Sequence, residues 1–127
     1  MNLVDSCGWL EYFADGPNAD FFAPAIEEMD QILVPTLCLF EVYKRILQQR
    51  GQGSALRAIG VMRQGRCIDL TDSLALGAAQ ISVDLKLTLA DSIIFHTAQQ
   101  HHALLWTQDG HFKGLAGVRY IRKDPAS

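Results

Sequence analysis

The sequence predicts an α/β domain, a doubly wound parallel sheet with helices on both faces. Three observations predict it. Short apolar runs recur along the chain, stretches with helical spacing separate them, and 127 residues suit one domain over residues 1–127. The runs are Asn2-Leu3-Val4, Ile32-Leu33-Val34, Cys67-Ile68-Asp69-Leu70, Leu104-Leu105-Trp106-Thr107 and Val118-Arg119-Tyr120-Ile121. Strands covered on both faces read as continuous apolar runs, because neither side of the pleat meets water. Right-handed crossovers between such strands give the doubly wound arrangement.

The intervening stretches carry the helices. Cys7 to Phe13 follows two capping residues, Asp5 and Ser6. Asp15-Gly16-Pro17-Asn18 then reads as a loop. Leu39, Val42, Tyr43, Ile46 and Leu47 form one apolar stripe at 3.6-residue spacing. Gly51 and Gly53 close that helix and open the next, which carries Leu56, Ile59 and Met62. Two more helices are expected, over Asp72 to Val83 and over Asp91 to His101.

Composition narrows the function classes. Hydrophobic residues at 49% with 20% charged describe a globular chain, not a disordered one. No apolar run approaches the roughly 20 residues of a membrane helix, and the N-terminus has no secretion-signal pattern. Cys7, Cys38 and Cys67 are odd in number and too scattered for a zinc or disulfide framework, so a reducing cytoplasm is the expected compartment. Cys38 and Cys67, beside apolar neighbours, are expected as small core residues. The net charge of -3 is unusual for a nucleic-acid binder, but six basic residues between Lys44 and Arg66 stand without an acid among them. Such a segment either steers a polyanion or is a solvated helical face.

Four acids stand at element boundaries, and each has two readings. Asp5 ends the first strand, where it could cap a helix or line a site. Glu41 lies off the apolar stripe, where it could pair with Arg45 one turn on. Asp91 opens a helix behind Thr88 at capping-box spacing, yet it sits among Leu, Ala and Ile, where an acid needs a partner. Asp109 precedes Gly110, as turn aspartates do, and follows the fourth strand with one residue between. In open α/β sheets, sites form beyond the carboxyl ends of strands where strand order reverses. If the first and fourth strands are neighbours there, Asp5 and Asp109 share one crevice. Carboxylates alone would repel, so a cluster makes sense around a hard cation, Mg²⁺ or Mn²⁺.

The residues also carry a resemblance. Its pieces are Leu3-Val4-Asp5-Ser6, the Thr-x-x-x-x-Glu segment from Thr36 to Glu41, Leu89-Ala90-Asp91-Ser92-Ile93-Ile94, Trp106-Thr107-Gln108-Asp109-Gly110-His111-Phe112, and the tail Gly114 to Ile121. No piece is specific alone; the set, in this order, resembles the PIN-domain nucleases, and most closely the VapC-type toxins of toxin–antitoxin pairs. The resemblance implies that Asp5, Glu41, Asp91 and Asp109 hold Mg²⁺ or Mn²⁺, with Ser6 and Thr107 as supporting hydroxyls. It implies an endoribonuclease, an RNA substrate, a small antitoxin partner and a homodimer. Many relatives place a second acid just beyond the Asp109 position; here His111 stands in that stretch, which leaves the number of metals open. Lys44 and Arg45 are candidates to track the RNA backbone, with Trp9 or Tyr12 to stack on bases. His96, His101 and His102 do not compete as catalysts; His101-His102 read as an exposed helix end. The alternatives are a non-catalytic PIN-like binding module, or another phosphoryl-transfer domain such as a receiver or phosphatase. A receiver would want an acidic neighbour to Asp5, and an Asp-x-Asp phosphatase would want an acid at Cys7.

Overall fold

The computed structural model describes residues 1–123. Five strands form one all-parallel sheet: β1 (Asn2–Val4), β2 (Ile32–Pro35), β3 (Arg66–Ile68), β4 (Leu104–Thr107) and β5 (Val118–Tyr120). Six helices connect them: α1 (Ser6–Phe13), α2 (Ala19–Glu27), α3 (Thr36–Arg50), α4 (Gln52–Met62), α5 (Asp72–Leu85) and α6 (Leu89–Gln100). The expected strands all form, each within two residues of its expected ends.

Strand order is β3-β2-β1-β4-β5. The chain winds outward from β1 through β2 to β3, then crosses back to β4 on the other side of β1. With right-handed crossovers, this reversal puts α1–α4 on one face of the sheet and α5 and α6 on the other. The packing agrees: α1 packs on α2 and α3, α3 on α4, and α5 on α6. The predicted doubly wound class is the observed one.

The core lies on both sides of the central strands. Leu3, Val4, Leu33, Val34 and Leu105 are buried in the sheet. Trp9, Phe22, Ile26, Cys38 and Val42 cover one face from the helices. Phe95 of α6 stacks on Phe112 at 6.2 Å between ring centres. Fully burying side chains of this kind contributes on the order of 2 kcal/mol each. Gly8 lets α1 approach β1 closely: a Cβ there would meet Val4 Cγ1 at 2.5 Å and the Phe22 ring at 2.7 Å. Gly51, at φ 85°, ends α3 and starts α4 in a conformation that L side chains disfavour.

Some expectations need correction. The helix α2 carries Pro24 inside it and was not expected. Helix α6 starts at Leu89, so Asp91 lies in its first turn, with Thr88 as cap. Cys67 is exposed, because β3 is an edge strand; only Cys38 is a core cysteine. Trp9 is fully buried and stacks on Phe13, so it has no face for a base. His102 is exposed, but His101 is half-buried, with its ring bonded to Thr97 O at 2.9 Å. Among the described residues, no helix is long and apolar enough to cross a membrane.

Candidate metal centre

β1 and β4 are neighbours, paired from Asn2 with Leu104 to Val4 with Trp106. This is where strand order reverses, so the carboxyl ends of β1 and β4 open a crevice. Asp5 leaves β1 into it. Its backbone N–H still donates to Trp106 O, at 3.3 Å. Asp109 leaves β4 beside it after the single residue Gln108, and Asp91 enters from the first turn of α6.

Asp5 does the local work of a cap as well. Its Oδ1 accepts from the Gly8 N–H at 2.9 Å, while its Oδ2 accepts from Thr107 Oγ1 at 2.5 Å. Thr107 Oγ1 in turn accepts from the Asp109 N–H at 2.9 Å. One buried hydroxyl therefore ties the carboxylate that follows β1 to the backbone of Asp109, which follows β4. The Asp5 side chain is 3% exposed, and its carboxyl is pushed up to about 7. Burial is the main cause; the Thr107 and Gly8 hydrogen bonds oppose it, and repulsion from Asp109 and Asp91 adds to it.

Asp91, Asp109 and His111 form the tightest group: one ligand atom from each lies within 4.8 Å of the others. His111 Nδ1 stands 3.3 Å from Asp91 Oδ2 and 3.1 Å from Asp109 Oδ1. Asp109 also caps the short 3₁₀ turn Gly110–Phe112, accepting from the His111 N–H at 2.9 Å. The Asp91 carboxyl is raised, first by burial and then by Asp109, with Thr88 and His111 opposing.

Glu41 approaches from α3. Its Oε1 accepts from Ser6 Oγ at 2.6 Å, which ties α3 to the residue after Asp5. The ion pair with Arg45 is not formed; among the described residues, the close ion-pair contacts are those of His111. Ser6 and Thr107 thus each hold an acid of the predicted quartet. Lys44 and Arg45 diverge. Lys44 Nζ lies 5.8 Å from the Phe40 ring centre, while Arg45 lines a groove with Cys7, Gln108 and Lys123.

The donor chemistry fits a divalent cation. Two carboxylates and an imidazole converge, a third carboxylate behind them is held partly protonated near neutrality by burial and by its acidic neighbours, and a cation would relieve that repulsion. The sequence reading set the histidines aside as catalysts and noted His111 only as a departure from the acidic pattern. The available signal was its position two residues after Asp109, in the short turn that Asp109 caps.

The chain belongs to the PIN domain family, whose pattern it matches over residues 3–118. Comparison with curated proteins by sequence finds no significant match. Solved structures share the fold. A toxin–antitoxin complex from Klebsiella pneumoniae superposes with a TM-score of 0.79 at 23% identity, covering 94% of this chain and 96% of that one. VapC20 of Mycobacterium tuberculosis, described as a Sarcin-Ricin loop cleaving toxin, gives 0.74 at 15% identity over 91% of this chain and 95% of its own. VapBC2 of Rickettsia felis, bound to a DNA fragment from its promoter, gives 0.74 at 12% identity, covering 97% and 98%.

Proposed function

We propose that this chain is a metal-dependent endoribonuclease, the toxin of a toxin–antitoxin pair, acting in the cytoplasm. The observation that carries the reading is the convergence of Asp5, Asp91 and Asp109 beyond the ends of β1 and β4, where the strand order reverses. Family membership and the toxin folds it shares support it.

Asp91 and Asp109 would hold Mg²⁺ or Mn²⁺ directly, with Asp5 behind them and Glu41 at the Ser6 side. When bound, such a cation acidifies water and neutralises charge on a phosphoryl oxygen. The protein's own residues do the rest. Thr107 holds the Asp5 carboxylate against the backbone of Asp109, so the Asp5 carboxylate would need little reorganisation when substrate arrives. Glu41, bonded to Ser6, would complete the coordination or orient the attacking water. Arg45, which lines the groove with Cys7 and Gln108, and Lys44 would contact RNA phosphates, countering the repulsion between the cluster and a polyanion.

The partner reading rests on a groove of about 600 Å³ between α1 and the α3–α4 pair. Leu10, Phe13, Ile46 and Val61 give it an apolar wall, and Arg45, Arg50, Arg57 and Lys123 a basic rim. It suits an amphipathic segment with acidic side chains, as an antitoxin would supply, and an occupant would cover Arg45 and block RNA. Homodimerisation has support in α5, which buries only Ala78 while Leu76 and Val83 are about three-quarters exposed.

The test is cleavage of a panel of structured RNAs with and without Mn²⁺, by parent and Asp91→Asn. Metal-dependent cuts by the parent alone are expected. Equal cutting by both, or none on any RNA while the parent binds RNA tightly, would overturn the nuclease reading in favour of a binding module.

A further inference from the structure

We propose that His111 is itself a metal ligand through Nδ1, and that this imidazole tunes the centre toward Mn²⁺ and other transition metals over Mg²⁺. The inference deepens the metal-centre reading above and rests on it.

The geometry carries the argument. In an octahedral shell with bonds near 2.1 Å, adjacent ligand atoms are about 3.0 Å apart. His111 Nδ1 lies 3.3 Å from Asp91 Oδ2 and 3.1 Å from Asp109 Oδ1, so the nitrogen already has the spacing of a vertex next to each of the two oxygens. That placement is built. The His111 N–H is bonded to Asp109 Oδ1, which fixes the start of the turn. Phe112, fully buried, anchors the other side by stacking on Phe95. Phe95 lies one turn along α6 from Asp91, so the contact that fixes His111 also fixes its distance to Asp91. An ion pair of protonated His111 with both acids would use the same contacts. His111 is 68% exposed while Asp91 and Asp109 are 15% and 25% exposed, so a cation reaching the two acids from solvent meets the imidazole with them, and nitrogen coupling to the bound metal separates ligation from an ion pair.

The choice of donor has a consequence for selectivity. A histidine in place of an acid removes one negative charge, which weakens a site for Mg²⁺, a hard cation that favours oxygen. Imidazole nitrogen favours first-row transition metals, rising from Mn²⁺ through Co²⁺ and Ni²⁺. The nitrogen already lies within 3.3 Å of one oxygen of each acid.

The experiment uses untagged full-length protein, so that no affinity-tag histidine competes. Mn²⁺ binding is followed by electron paramagnetic resonance, with Mg²⁺ affinity from competition, in the parent, His111→Ala, His111→Asp and Asp91→Asn. Pulsed measurements then read nitrogen coupling to the bound Mn²⁺. The parent should show directly bound ¹⁴N, and His111→Ala should lose it. Mn²⁺ affinity should fall about tenfold or more in His111→Ala, the scale of lost ligand support, while Mg²⁺ affinity changes far less. His111→Asp should narrow the preference for Mn²⁺ by raising Mg²⁺ affinity. If Mn²⁺ binds and Asp91→Asn abolishes it, but no nitrogen coupling appears in the parent, the metal centre stands and the role of His111 is refuted. If the parent binds no Mn²⁺ at millimolar concentration, both readings fall together.

Discussion

Replacing Asp5 by Asn should stabilise the metal-free fold at high pH and not at low pH. The Asp5 carboxyl is 3% exposed and pushed up to about 7 in the metal-free fold. In the unfolded chain an aspartate titrates near 3.9. Between those values the folded state keeps a proton that the unfolded state has released. Stability from this group is therefore complete below about pH 4 and is lost as pH rises to about 7. Three units correspond to about 4 kcal/mol, an upper bound for a domain that can relax and admit water. Asn cannot ionise and escapes the loss. It does disturb the hydrogen bonds from Thr107 and Gly8, at a cost of about 1–2 kcal/mol. Above pH 7.5 in EDTA the mutant should thus melt a few degrees higher than the parent. Near pH 4.5 the parent has lost only about 1 kcal/mol of that stability, which the cost of the disturbed hydrogen bonds matches or exceeds, so the mutant should lose its advantage and melt no higher than the parent. Thermal unfolding by circular dichroism between pH 4.5 and 8.5 reads that loss, with Asp84→Asn as a flat control. Mn²⁺ at pH 7.5 should raise the parent more than the mutant, because a cation that binds only the fold stabilises it by mass action. Parallel curves for parent and Asp5→Asn across the range would refute the buried, repelled carboxylate.

Three other outcomes are expected. Asp5→Asn and Asp91→Asn should each abolish RNA cleavage, whereas Asp84→Asn, at an exposed acid that accepts from Gln80 Nε2 on the same helix, should leave it intact; gel assays of nuclease-free preparations check this. Lys44 and Arg45 changed together to Ala should weaken RNA binding and flatten its salt dependence by about 0.7 in the log–log slope per lost single-strand phosphate contact, with Arg45→Ala accounting for most of it because Arg45 faces the groove. Gly8→Ala should lower stability by about 1–3 kcal/mol in urea unfolding, because its Cβ would collide with two buried side chains, Val4 and Phe22.

The central strands β1, β2 and β4 were legible because they are largely buried on both faces, which writes them as apolar runs whatever their neighbours. Helix α2 was not, and its composition explains why. Pro24 reads as a helix breaker, but it lies on the exposed side four residues after exposed Asp20, whose freed carbonyl can turn to water. Cys67 misled for the opposite reason: its run is apolar, but β3 is an edge strand with exposed side chains. Periodicity placed Glu41 off the apolar stripe correctly, yet it could suggest only a partner one turn away. The partner is Ser6, 35 positions distant, and only the packing of α1 on α3 brings them together.

The acids show why local and functional readings of one residue do not compete here. Asp5 caps α1 and Asp109 caps the turn before Phe112, so each carboxylate has a favourable local role that its own neighbours make visible. Those roles fix the acids at the ends of β1 and β4, and the reversal of strand order makes these ends adjacent. Repulsion between them is therefore a property of the topology, absent from any window of sequence. Thr107 makes it tolerable: one hydroxyl donates to Asp5 and accepts from the backbone of Asp109, offsetting part of what burial and like charge cost. What remains is a carboxylate held partly protonated near neutrality, and a cation entering the crevice would displace that proton. The same local bonds that let the acids fold without metal thus leave them poised to bind it.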